Sequence, residues 1–138
     1  MKRRLSSAIL IGWLCQIGLS VLLPEIALVG GRVLSMTIGA DYGWADHTHD
    51  SRFPGWQVVQ GAIFVASASA GFIAGYLAPR RTFRLAAALV FLVLLKIFFE
   101  QLPMPMPARP FIVLEWMLAP CLGIVVGLMI EGRISRED

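Results

Sequence analysis

Charge is scarce in this chain: only 15% of its 138 residues are Asp, Glu, Lys or Arg, while 57% are hydrophobic. A soluble domain of this size has too little interior to hide so much apolar side chain, and ordinary globular chains are about a quarter charged. A mean hydropathy of +0.73 points the same way, to lipid as the solvent. Cysteine is nearly absent. Cys15 and Cys121 both fall inside apolar runs, about 15 Å from the nearer span end, and form neither a disulfide framework nor a CxxC pattern; they read as small packing residues. No nucleophile elbow, phosphate loop, dinucleotide fingerprint or paired His and Glu metalloprotease helix occurs, so no residue set points to an enzyme and no cofactor is expected. The net charge of +3 does not imply nucleic acid, because the basic residues flank apolar runs instead of forming a stripe on a soluble face.

What is present is a series of apolar runs. A span needs roughly 20 apolar residues, and four can be placed at about 5–23, 58–78, 85–102 and 111–130. They consume most of the chain, so 1–138 reads as a single transmembrane domain. The expected fold is all-α, an integral membrane four-helix bundle. The first run follows Lys2-Arg3-Arg4 in the manner of a signal peptide, but its apolar stretch is longer than a usual h-region and no small-x-small site precedes Pro24, so it reads as an uncleaved helix. It can continue past a kink at Pro24 to Val29, and Gly30-Gly31 is expected to stop it. Residues 30–57 then form the longer outer loop, with Val33 to Ile38 apolar enough to lie along the bilayer surface. The prolines from Pro103 to Pro110 predict a stiff non-helical connector, and Gly132 a C-terminal stop.

Orientation follows from Lys and Arg. Lys2, Arg3, Arg4, Arg80, Arg81, Arg84, Arg133 and Arg136 fall on one side, and only Arg32, Arg52 and Arg109 on the other, with Lys96 inside a span. The positive-inside rule makes the first group cytoplasmic, which puts both termini inside and the 30–57 loop outside. Trp44, Phe53 and Trp56 suit an outer aromatic belt. The default membrane is a bacterial inner (plasma) membrane.

Three groups of residues could carry chemistry. Lys96 and Glu100 are four apart on one face of the third run, and Glu115 lies at similar depth in the fourth. Charge is expensive in lipid unless paired or wetted, so the three are expected to form an intramembrane polar cluster, either an interhelical ion pair or a site for a solute or proton. Pro120 supplies no N–H to the carbonyl four residues back and bends the helix near Glu115. In the outer loop, Asp46, His47, His49 and Asp50 are zinc-type ligand residues, but contiguous in sequence and so a weak metal pattern. Small residues recur every fourth position, as Ser67, Gly71 and Gly75 in the second run and Ala119, Gly123 and Gly127 in the fourth, with Ala8 and Gly12 a weaker echo in the first. Such spacing lets helix backbones approach closely, within the chain or against a partner. Gln16, Gln57 and Gln60 are expected to hydrogen-bond between helices or lie at the interface.

These features favour an accessory or assembly subunit that packs against a larger membrane protein complex. The second reading is a small oligomeric transporter or channel component with Lys96, Glu100 and Glu115 lining its path. The expected partners are the lipid bilayer and another membrane protein or a second copy of the chain.

Overall fold

A computed structural model describes the backbone at residues 2–38, 54–78, 82–101 and 110–137, and the side chains at 5–37, 55–78, 83–99 and 116–134. Apart from the bend at Ala78, the described residues are helical: α1 (Lys2–Ile38), α2 (Pro54–Leu77), α3 (Thr82–Gln101) and α4 (Pro110–Glu137). Leu5–Thr37, Gly55–Leu77 and Trp116–Ile134 are long and apolar enough to cross a membrane. Continuous helix is the expected state of such segments, because it pairs backbone donors and acceptors within the segment where no water can replace them. Hydroxyls are absorbed in the same way: Ser20 Oγ donates to the Ile17 carbonyl at 3.0 Å, Thr37 Oγ1 to Val33 at 2.8 Å and Ser69 Oγ to Val65 at 2.9 Å.

The helix ends follow local chemistry. Proline opens α2 and α4, where its missing N–H costs nothing. The backbone N–H of Ala78 is shared between the carbonyls of Ala74 and Gly75, and Pro79 follows. Three boundaries differ from the sequence reading. Helix α1 does not stop at Gly30-Gly31 but continues to Ile38, so it takes up the start of the expected 30–57 loop, and α2 takes up its last four residues. Glycine costs about 1 kcal/mol in a helix interior, less than leaving backbone groups unpaired in an apolar setting, and Gly31 is buried while Gly30 has open space around it. Likewise Gly132 does not end α4, which runs on to Glu137. The expected connector at 103–110 lies outside the described residues except for Pro110.

Helix α2 packs against both α1 and α4. Gly12 of α1 meets Ala70 and Ala74 of α2, near α2's C-terminal end. The buried stripe of α1 continues from Ala8 and Gly12 through Gln16 and Pro24 to Gly31, which only an antiparallel course along α2 can provide. Against α4 the order is parallel: Gly123 faces Phe64 and Ser67, Ile124 faces Gly71, and Leu128 and Glu131 face Gly75. Helix α3 adds an aliphatic stripe at fourth positions, Leu85, Leu89, Val93 and Ile97, which joins Ala8, Ala74, Ile124 and Leu128 in one core. Among the described residues the exposed side chains are mostly apolar, Leu14, Val21, Ile26, Val65, Phe91, Phe98 and Leu122 among them.

Candidate functional site

The most closely built part of the molecule is the α2–α4 crossing, where the two small-residue series meet each other. A Cβ added at Gly71 would fall on the Ile124 carbonyl oxygen, and one at Gly127 on the Ala68 carbonyl oxygen. One at Gly123 would lie 2.8 Å from Ser67 Cβ and 3.1 Å from Ala68 N. Backbone is therefore in contact with backbone over about two turns. In lipid, where burial of apolar surface gives no gain between helices, such dispersion contacts are what remain to hold a pair together. Ser67, Gly71, Gly75, Gly123 and Gly127 all lie in this seam, and Ala119 is half-buried one turn before Gly123. The α1 echo is used too: Ala8 is fully buried, and a Cβ at Gly12 would lie 2.9 Å from Ala74 Cβ. Helix α2 thus presents one small face to α1 and a second to α4.

Comparison with protein-family models, curated proteins and solved structures finds no match. Function must be argued from the residues themselves.

The seam ends on a carboxylate just beyond the 111–130 run read from the sequence. Glu131 is only 2% exposed, and the Gly75 Cβ position lies 3.0 Å from its Oε2. The signal for it was present in the spacing, because Gly123, Gly127 and Glu131 continue the same fourth-residue series. Of the expected polar cluster, Lys96 is half-buried between the core residues Val93 and Ile97 of α3. Glu100 and Glu115 lie on α3 and α4, but their side chains are outside the described residues, so the cluster itself is too. The same holds for Asp46, His47, His49 and Asp50. Among the described residues, no group of three His, Cys, Asp or Glu could hold a metal ion.

Several polar side chains sit deeper than the sequence indicated. Gln16 is 3% exposed, Gln60 8% and Ser67 0%, whereas Gln57 is exposed. Gln16 Oε1, both amide atoms of Gln60, Ser67 Oγ and Trp13 Nε1 are buried with no hydrogen-bond partner among the described residues. The expected interhelical bonds from Gln60 are therefore not made there. Cys15 and Cys121 are half-buried free thiols.

Proposed function

We propose that the protein is an accessory or assembly subunit of a larger membrane complex, a four-helix bundle in a bacterial inner membrane with both termini cytoplasmic. The observation that carries this reading is the length and exposure of α1. Its 37 residues make a helix of roughly 55 Å, against a hydrocarbon core of about 30 Å. Its second half exposes Val21, Leu22, Ile26, Val29, Val33, Leu34 and Met36. The small-residue faces of α2 and α4 are occupied by each other and by α1, so a partner has to use another surface. The over-long second half of α1, mostly apolar but with Glu25 and Arg32 exposed, offers such a surface, and a neighbouring membrane protein would cover what the bilayer cannot.

The test is photo-crosslinking in native membranes from a benzophenone side chain placed at Leu22, Val29 or Leu34, with Val65 on α2 as an exposed comparison. A single larger membrane protein captured from the α1 positions supports the reading, and lipid alone at all three would refute it. Capture of a second copy of the chain would favour the oligomeric transporter, the reading to which the half-buried Lys96 within an apolar helix lends support.

A further inference from the structure

Helices α1 and α2 run antiparallel and α2 and α4 parallel, and Leu89 near the start of α3 lies against Gly12 of α1 beside Ala74 near the end of α2. One end of the molecule therefore holds the starts of α1 and α3 and the ends of α2 and α4. The apolar runs begin or end together there, at Leu5 on α1, Leu77 on α2 and Ile130 on α4. Within about two turns of that boundary the helices carry Lys2, Arg3 and Arg4 on α1, Arg84 on α3, and Arg133 and Arg136 on α4. Arg84 and Arg133 are exposed, and the acids of this end of α4, Glu131 against Gly75 and Leu128 and Glu137 in the last turn, are outnumbered by these six cations. The first turns of α1 and α3 contain no acidic residue. A helix start favours negative charge, yet here both starts are furnished with cations, a like-signed arrangement that an outside anion would relieve.

We propose that this basic end is a docking surface for the headgroups of anionic phospholipids. A headgroup phosphate sits at the depth where the apolar segments end, and it balances the excess of positive charge at the rim. The inference rests on the membrane reading above but requires no partner protein.

The full chain is reconstituted into vesicles of equal parts phosphatidylcholine and phosphatidylglycerol, floated on a density gradient, then gently extracted for native mass spectrometry of the lipids it retains. Flotation tests the membrane reading by itself, and a chain that stays at the bottom overturns both. For a floating chain the expected result is phosphatidylglycerol retained above its share of the bilayer, with the excess lowered in an Arg84→Gln and Arg133→Gln double variant. One cation at an anionic surface is worth about 1 kcal/mol, so the loss is up to roughly fivefold per arginine. Both positions are exposed, and an unchanged melting temperature in the variant confirms that the core is intact. Retention in the bulk ratio, an excess indifferent to the two substitutions, or an excess abolished by inorganic phosphate would overturn the proposal.

Discussion

The substitution Gly127→Ala adds one methyl group and should be among the most damaging single changes in the molecule. The new Cβ would fall on the Ala68 carbonyl oxygen and lie 2.8 Å from Ala68 C and 2.9 Å from Phe72 N. All three are backbone atoms of α2, so no side chain can swing aside. Ordinary carbon contacts lie at 3.5–4.0 Å, so the helices must part by roughly 1 Å. The direct overpacking term is about 1–3 kcal/mol. Separation then also weakens the neighbouring contacts of Gly71 with Ile124 and Gly123 with Ser67, which places the expected loss at the upper end of that range. Gly18→Ala on α1 is the internal control. It adds the same methyl with nothing within 4 Å, and by helix propensity it should be neutral or stabilising by up to about 1 kcal/mol. Reversible unfolding in mixed micelles, followed by circular dichroism against the mole fraction of denaturing detergent, measures both. If Gly127→Ala proved as stable as Gly18→Ala, the backbone-to-backbone seam would be wrong.

Gly75→Ala should cost less than Gly127→Ala, about 1 kcal/mol or under, because its new Cβ meets side-chain atoms, Glu131 Oε2 at 3.0 Å and Leu128 Cδ2 at 3.2 Å, that can shift; the same titration ranks the two. Gln60→Met removes two buried amide atoms that have no partner among the described residues and should stabilise by about 1 kcal/mol or more. A clear loss of stability in that variant would mean that the amide is hydrogen-bonded, for example through a bound water. Leu89→Ala, at a fully buried position, should cost about 2 kcal/mol or more through its cavity. Leu14→Ala on the exposed face of α1 should change stability by less than about 0.5 kcal/mol, and equal effects at the two positions would refute the assigned core.

How much of this was legible beforehand differs by level. Helical class and the four helical segments could be read from composition and order, whereas the start of α2 at Pro54 was placed inside the expected loop. The rule about glycine was applied too strongly at Gly30-Gly31 and Gly132, because a stop signal calibrated in water loses force where an unpaired backbone has no water to turn to. The polar cluster was sought at Lys96, Glu100 and Glu115 because charges within apolar runs attract notice. Glu131 escaped because it stands at the end of a run, where an acid is usually solvated.

Hydropathy and helix formation are local properties, set by side-chain type and by hydrogen bonds four residues apart, so the sequence by itself determined that this is a chain of apolar helices with a basic end. Which helix faces meet is not local. The fourth-residue spacing of Ser67, Gly71 and Gly75 said only that some backbone could come close. Whether that backbone belonged to α4 or to another protein depended on the rotation and register of two helices separated by a third. The tertiary structure decided that α2 spends one small face on α1 and the other on α4, and that Glu131 closes the seam, because packing at van der Waals distance selects the one register in which glycine stands opposite a carbonyl.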